Sequence, residues 1–176
     1  MGKNSTMTTQ RPTIVGHLHP DLDCITAIWI LCRWGGMHDA ELRFVPAGTT
    51  LDGRPVDSDP NVIHVDTGGG RFDHHHTNDR ALSAAELVRR AVAPGDSALA
   101  RIVHNVTDID HAYVDLSTIF NINDLIAGYH GCFPEQPERV VGAMSTNFDA
   151  WHAHEERQNR LADAFSRRIE FDTPWG

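Results

Sequence analysis

The feature that most limits how this chain folds is a short β-branched segment that ends in a dense polar loop and leads at once into an apolar helix. Residues 13–16 (T-I-V-G), followed by H-L-H-P-D-L-D, are typical of a strand that delivers a polar loop. Asp21 can cap the next helix, predicted over residues 22–34. Apolar side chains recur in that helix at helical spacing (Ile25, Ile28, Trp29 and Cys32). This order predicts the first unit of an α/β domain.

The rest of the chain repeats this alternation and then becomes helical. Further strands are predicted over residues 41–46 and 61–65. Ser83-x-x-Glu86 forms a capping box that opens a helix ending near Ala93. More helical segments are predicted over residues 97–106, 115–130 and 138–168. We therefore expect an α/β fold, with a mostly parallel sheet flanked by helices and a helical C-terminal portion.

The domain organisation predicted from the sequence is simple. Residues 1–12 are polar and lack the apolar core of a signal peptide, so we expect a disordered leader there. Residues 13–176 contain no repeat or linker and are expected to form a single domain. No apolar run is long enough to span a bilayer, and the three cysteines form no C-x-x-C pair. These features favour a cytoplasmic protein that does not bind membranes.

The charge balance argues against one class of partner. The formal net charge is -9, with 24 acidic and 15 basic residues. An acidic protein gains little from releasing the counterions of a nucleic-acid backbone, so tight binding to long duplexes is not expected. The 12 histidines are unusual in number, and histidine is a frequent metal ligand. Their positions therefore matter more than their number.

Two polar clusters follow predicted strands. One spans residues 17–23 and contains two histidines and two aspartates; the other combines Asp66 with residues 73–76 (D-H-H-H). Ligand sites in parallel α/β sheets lie beyond the carboxyl ends of the strands, so the two clusters should converge. Mixed imidazole and carboxylate ligands suit manganese, iron, cobalt or zinc ions better than Mg²⁺ alone. There are enough ligands for two ions bridged by Asp66, which is the arrangement of two-metal hydrolases.

These same segments resemble a known family. H-L-H-P-D-L-D is similar to the first signature of the DHH phosphoesterase superfamily, whose usual form is His-x-Asn-Pro-Asp-x-Asp. V-D-T-G resembles the second signature, and F-D-H-H resembles the third, which names the group. R-F-D-H-H-H, T-D-I-D-H-A and L-S-T-I-F-N are similar to the Myg-type exonuclease branch, once described as metal-dependent protein hydrolases. The resemblance runs from about residue 13 to residue 164.

The resemblance implies a role for each ligand. One divalent ion would be held by His17, Asp21 and Asp66. The other would be held by Asp23, Asp66, His74 and Asp110. His75 would contact the scissile phosphate and act in catalysis together with Asp66. The ions would be Mn²⁺, with Mg²⁺, Co²⁺ or Zn²⁺ as alternatives.

The chain also departs from the family pattern. His19 replaces the usual asparagine, and Asp108 competes with Asp110 for the fourth motif. Residues 68–70 are all glycine and are expected to form a tight turn rather than a phosphate cradle. Family enzymes usually carry a second domain that covers the substrate, and we expect none within residues 13–176.

The predicted activity is hydrolysis of phosphodiester or phosphoanhydride bonds in short oligonucleotides or small nucleotides. A manganese-dependent pyrophosphatase and a non-catalytic module that binds metal and nucleotide are the alternatives. His130, flanked by glycines, is a candidate for substrate contact. Four other histidines are expected to be surface or core-edge residues (His104, His111, His152 and His154).

A homodimer is also expected from the C-terminal segment. It carries an apolar series that could form an interface (Trp151, Leu161, Phe165, Ile169, Phe171 and Trp175). The alternative is that this series packs on the chain's own sheet.

Overall fold

The computed structural model describes residues 11–114, 116 and 119–169. Three strands form one parallel sheet: β1 (Thr13–His17), β2 (Glu41–Val45) and β3 (Val62–His64). The strand order is β2-β1-β3, with Thr13 paired to Glu41 on one side and to Val62 on the other. The predicted α/β class and parallel sheet are therefore confirmed.

Five α-helices complete the described part of the fold. Their bounds are α1 (Leu22–Trp34), α2 (Ala84–Val92), α3 (Ser97–Asp110), α4 (Ile122–Cys132) and α5 (Pro137–Ser166). A single 3₁₀ turn, Leu51–Gly53, lies between β2 and β3. Helix α1 packs against β1, and α2, α3, α4 and α5 pack around α1. The core is thus built on α1.

Helix α1 has the bounds that its sequence predicts, but its burial is more complete. Asp21 caps it by accepting a hydrogen bond from the Cys24 backbone amide, and Gly35 follows its last residue. Every residue from Leu22 to Leu31 is buried, and not only those on one apolar stripe. A helix that is apolar on all sides belongs in the middle of a layered domain.

Helix α2 begins at Ser83, as the capping-box pattern predicts. The Ser83 hydroxyl accepts a hydrogen bond from the Glu86 amide. The Glu86 carboxylate does not reach back to the cap, however. It accepts hydrogen bonds from Arg89 and Arg90 instead. Only one half of the capping box is therefore formed.

Helices α3 and α4 differ from the predicted segments. Helix α3 continues past Val106 to Asp110, so Asp110 occupies its last turn. Helix α4 begins only after Asn121, whose side chain and that of Asp124 form a reciprocal capping box. The predicted start near Asp115 is wrong because this cap fixes a later one. Asp115 itself lies outside the described residues.

Helix α5 is one helix of 30 residues. Its first half packs on the core through Val140, Met144 and Phe148, which are fully buried. Leu161, Phe165 and Ile169 are exposed, so this part of the apolar series does not pack on the sheet. Phe171 and Trp175 of the same series lie outside the described residues.

The predicted leader is described only at its end. Residues 1–10 lie outside the described residues. The Pro12 carbonyl accepts a hydrogen bond from the Glu41 amide, so Pro12 is joined to β2. Within the described part of the chain, no helix is both long and apolar enough to cross a membrane.

Candidate metal centre

The ends of β1 and β3 bring the two polar clusters together. His17 is the last residue of β1, and Asp66 follows β3 by two residues. The Val65 amide donates to the Val15 carbonyl, so the pairing of the strands continues up to the polar residues. As a result, His17 Nε2 lies 3.3 Å from Asp66 Oδ2.

Asp66 lies between the two histidine-containing segments. Its other carboxylate oxygen, Oδ1, is 3.6 Å from His74 Nε2 and 3.6 Å from His75 Nδ1. Only 2% of its side chain is exposed. Its backbone adopts a left-handed conformation with φ of 55°, which is uncommon for a residue other than glycine. The Asp66 amide donates to the Phe72 carbonyl, which ties this conformation to the loop carrying the D-H-H segment.

Three carboxylates surround His74. Its Nε2 atom is 3.6 Å from Asp23 Oδ2, 3.6 Å from Asp66 Oδ1 and 3.5 Å from Asp110 Oδ2. Asp23 comes from the first turn of α1, and Asp110 comes from the last turn of α3. The structure thus brings together the four residues that the resemblance assigns to one ion.

The other predicted ligand set is looser. His17 Nε2 lies 3.9 Å from Asp21 Oδ1, and the Asp21 side chain is 57% exposed. Cys24 Sγ lies within 4.8 Å of ligand atoms of His17 and Asp66, and the thiol is buried. A Cβ atom added at Gly16 would lie 2.9 Å from this sulfur, so Cys24 is closely packed against β1.

Asp23 has a second role that its sequence position does not reveal. Its two carboxylate oxygens accept hydrogen bonds from the amides of Ala84 (2.6 Å) and Ala85 (2.8 Å). These amides open α2 and have no acceptor within the helix. A carboxylate has enough lone pairs to serve both these donors and a cation. Asp23 therefore links the start of α2 to the centre.

The charges of the cluster are strongly coupled. Burial and the neighbouring charge of Asp66 raise the pKa of Asp23 to about 8. The Asp66 carboxylate raises the pKa of His74 to about 9, against the opposing effect of burial. Burial lowers the pKa of His17, but the carboxylates of Asp21 and Asp66 outweigh it and raise the pKa to about 12. In the absence of a cation, the carboxylates hold protons on themselves and on the histidines.

The residues present fit a divalent metal ion. Asp66 Oδ1 and His74 Nε2 are buried and have no hydrogen-bond partner among the described residues. Burying such atoms without a hydrogen bond or a metal contact costs free energy, so a bound ligand that pairs with them would stabilise the protein. Ligands bound about 2.0–2.2 Å from one ion lie roughly 3.0–3.6 Å from each other. The separations of 3.5 and 3.6 Å around His74 Nε2 match that range.

His75 lies at the open side of the cluster. Its side chain is 65% exposed, and its Nδ1 atom is 2.8 Å from Asp73 Oδ1. Burial raises the pKa of Asp73, but hydrogen bonds from the amides of His75 and Gly69 and from the His75 ring lower it below its usual value. An ionised carboxylate can only accept, so Nδ1 carries the proton and Nε2 keeps a lone pair.

The glycine run after Asp66 forms a turn and not an anion cradle. Gly68 and Gly69 have φ of 80° and 71°, and the Gly69 amide donates to Asp73 Oδ2. This turn brings Asp73, and the His75 ring bonded to it, next to Asp66.

The remaining candidates lie around the cluster. His76 is exposed and is not part of the group formed by Asp66, His74 and His75. Asp108, the competitor of Asp110, lies 3.6 Å from His104 on the same helix. His19 and His130 are near neighbours, with ring centroids 5.8 Å apart, and His130 Nε2 is 3.0 Å from the Pro20 carbonyl.

His111 is a residue that the sequence assigned to the surface or core edge. It follows Asp110 directly, and one of its ring nitrogens lies within 4.8 Å of ligand atoms of His74 and Asp110. In the sequence, the only indication that His111 lies near the cluster is its position directly after Asp110.

Two open clefts meet at Asp21. The first, of about 360 Å³, is lined by polar residues of the centre and by an apolar wall from α3 and α4. The apolar wall consists of Ile109, Ile126 and Ala127, and His19, Asn123 and His130 lie beside it. The second, of about 430 Å³, is lined by His17, Asp66, Asp73 and His75 together with Ala47 and Gly48. A substrate could therefore approach the cluster from either side.

Comparisons with protein-family profiles, with curated proteins and with solved structures found no match for this chain.

Proposed function

We propose that this chain is a DHH-type phosphoesterase that uses two divalent metal ions to hydrolyse phosphodiester bonds in short oligonucleotides or small nucleotides. The observation that carries the proposal is the buried pair of unpartnered atoms, Asp66 Oδ1 and His74 Nε2, which lies at the convergence of two parallel strand ends. Two further carboxylates lie within 3.6 Å of His74 Nε2. Buried polar atoms without partners are rare unless a ligand completes them.

The residues divide naturally into two ligand sets. His17, Asp21 and Asp66 would hold one ion, and Asp23, Asp66, His74 and Asp110 the other. Two divalent ions at this place would supply the positive charge that activates a water for attack and stabilises the phosphoryl oxygens. The mixed nitrogen and oxygen donors favour Mn²⁺ over Mg²⁺.

His75 would position the scissile phosphate. Asp73 holds its Nδ1–H at 2.8 Å and so fixes the orientation of the ring. Nε2 is then the nitrogen that can face the substrate, and it would donate to a phosphate oxygen in the doubly protonated ring, because the lone pair of a neutral Nε2 can only accept. Asp73 itself is 5% exposed in its side chain, so it acts through His75 and does not meet the substrate.

The apolar wall of the first cleft favours a nucleotide over pyrophosphate as substrate. Pyrophosphate has no apolar group that would use the wall of Ile109, Ile126 and Ala127. A nucleoside has a flat, largely apolar base with polar edges, and the cleft offers Asn123 and His19 beside the wall. His130 is held in place here because its Nε2–H donates to the Pro20 carbonyl. Binding of such a remote group helps to position the phosphate for attack.

The test is an assay of the manganese-loaded protein against five substrates: a nitrophenyl phosphodiester, cyclic dinucleotides, short labelled RNA, short labelled DNA and pyrophosphate. We expect hydrolysis of diester substrates and little release of phosphate from pyrophosphate. Asp110→Asn should abolish the activity, whereas Asp108→Asn, two residues away and outside the cluster, serves as the matched control.

The outcomes separate the alternatives clearly. Hydrolysis of pyrophosphate alone would replace the proposal with a pyrophosphatase. Binding of metal and nucleotide without turnover of any substrate would indicate a non-catalytic module.

A further inference from the structure

We propose that His111 is an additional metal ligand, which binds through Nδ1 the ion that His74 and Asp110 hold. This inference rests on the metal centre proposed above, but it does not require that the centre be hydrolytic. The predicted ligand sets do not include His111.

His111 is positioned by the C-terminal end of α3. His111 is the residue after Asp110, the last residue of the helix, and its amide donates to the Thr107 carbonyl. Its ring lies edge-on to the His74 ring, with centroids 5.6 Å apart and planes at 89°. Ligand atoms of His74, Asp110 and His111 lie within 4.8 Å of one another.

The hydrogen bond made by His111 Nε2 leaves the other ring nitrogen, Nδ1, free to bind a metal ion. His111 Nε2 lies 2.9 Å from the Leu82 carbonyl oxygen. A carbonyl oxygen can only accept, so Nε2 carries the proton and the neutral ring keeps its lone pair on Nδ1. Histidines that bind metals commonly donate their other ring nitrogen to a backbone carbonyl, which fixes the tautomer and the orientation of the ring.

An independent observation points to a ligand at the same place. His74 Nε2 is buried and lacks a hydrogen-bond partner among the residues described. The His74 side chain is 8% exposed, so water does not freely complete it. A cation next to this atom would also lie next to Asp110 and His111.

The extra imidazole would change which metal the site prefers. The shell of this ion would contain two nitrogens, from His74 and His111, beside the carboxylate of Asp110. Mg²⁺ favours all-oxygen shells, whereas Co²⁺, Zn²⁺ and Mn²⁺ accept imidazole. His111 would therefore act as a selector of transition metals against Mg²⁺.

The first experiment compares metal binding by the full chain and two variants. Co²⁺ is titrated calorimetrically, with visible absorption recorded, into the wild-type protein, His111→Ala and His104→Ala. His104 is the matched control because it also lies on α3 but is 74% exposed and is paired with Asp108. We expect His111→Ala to bind one of two Co²⁺ ions about tenfold more weakly or worse, with an altered spectrum, and His104→Ala to bind as wild type. Mg²⁺ affinity should change less than Co²⁺ affinity.

The second experiment needs no variant, since His111→Ala also loses the bond to Leu82. In ¹⁵N-histidine-labelled wild-type protein, addition of Zn²⁺ should shift His111 Nδ1 to the range of a coordinated nitrogen while Nε2 remains protonated. Two bound ions with an unshifted His111 Nδ1 would overturn this inference and leave the proposed function intact. Failure of the wild-type protein to bind any metal would overturn both.

Discussion

At the scale of single residues, Asp66 is the position on which the centre depends most. Its carboxylate lies within 3.6 Å of His17, His74 and His75, and its φ is 55°. A non-glycine residue in this region costs about 1 kcal/mol relative to the ordinary regions. Strained backbone that places a carboxylate among three histidines is typical of functional sites.

The first prediction is that Asp66→Asn removes activity and metal together. Asparagine tolerates a positive φ, so the fold should be kept while the bridging charge is lost. We expect bound Mn²⁺, measured by elemental analysis after dialysis, to fall from two equivalents to one or fewer. The turnover of the phosphodiester substrate should fall by more than about 100-fold.

His76→Ala is the control for this variant, because His76 is exposed and lies outside the cluster. It should keep both the metal content and the activity. Equal losses in the two variants would mean that the register of the D-H-H segment has been misassigned.

At the scale of elements, Asp23 connects the centre to helix α2. The amides of Ala84 and Ala85 use its carboxylate as their acceptor, across 61 and 62 residues of chain. Buried amides that lose their acceptor leave a desolvation cost that nothing offsets. Asp23 should therefore stabilise the protein even when no metal is bound.

The second prediction concerns this role. In the presence of chelator at pH 6.5, Asp23→Ala should lower the free energy of unfolding in urea by about 2–3 kcal/mol. Asp21→Ala, which removes the cap of α1 and one carboxylate neighbour of His17, should cost about 1 kcal/mol. A smaller loss for Asp23→Ala than for Asp21→Ala would show that α2 does not depend on this carboxylate.

The elements also show why some features could be predicted from sequence and others could not. The bounds of α1 follow from local signals, namely the Asp21 cap, helical apolar spacing and Gly35. The choice between Asp108 and Asp110 could not be made while α3 was expected to end at Val106. Once the helix reaches Asp110, the two side chains lie about 200° apart around its axis and face different neighbours.

The contacts made by His111 and Asp23 were beyond the reach of local patterns. His111 is bonded to Leu82, 29 residues earlier, and Asp23 is bonded to the start of α2. These partners are set by how α2 and α3 pack around α1, which no short segment encodes. The strands, most helices and the convergence of the two polar clusters were predictable because each depends on adjacent residues or on the rule for parallel sheets.

At the scale of the whole molecule, the buried charges make stability depend on pH. The pKa of Asp23 is raised to about 8 by burial and Asp66, and that of His74 to about 9 mainly by Asp66. Both groups bind their protons more tightly in the folded than in the unfolded state. Their contribution is therefore greatest at low pH and is lost as pH rises through these values.

The third prediction follows from this loss of stability as the pH rises. In chelator, the melting temperature should fall between pH 6.5 and 9, because the folded protein then loses protons that it holds more tightly than the unfolded chain. Saturating Mn²⁺ should reduce or reverse this fall, since the cations replace the protons. A melting temperature in chelator that is constant or rises over this range would contradict the pKa shifts.

The fourth prediction is that the molecule self-associates through the end of α5. Leu161 and Phe165 are 41% and 63% exposed and lie four residues apart on the last turns of α5, and Ile169, 76% exposed, follows just beyond the helix. We call these three residues the apolar stripe. Phe165→Glu should convert a homodimer to a monomer in sedimentation experiments, whereas Ala153→Glu, at an exposed position about two turns before Leu161, should not. A wild-type protein that sediments as a monomer at all concentrations tested would exclude this interface.

The bonds between Asp23 and α2 have a consequence for how loss of metal would be felt elsewhere. If the centre holds an ion, its loss would leave the Asp23 carboxylate, which anchors Ala84 and Ala85, facing the uncompensated charges of Asp66 and Asp110. The first turn of α2 would then open more often, and its amide hydrogens would exchange faster with solvent. A protease could reach the segment before Ser83 during such openings. A shortage of metal ions would in this way increase the proteolysis of the metal-free protein.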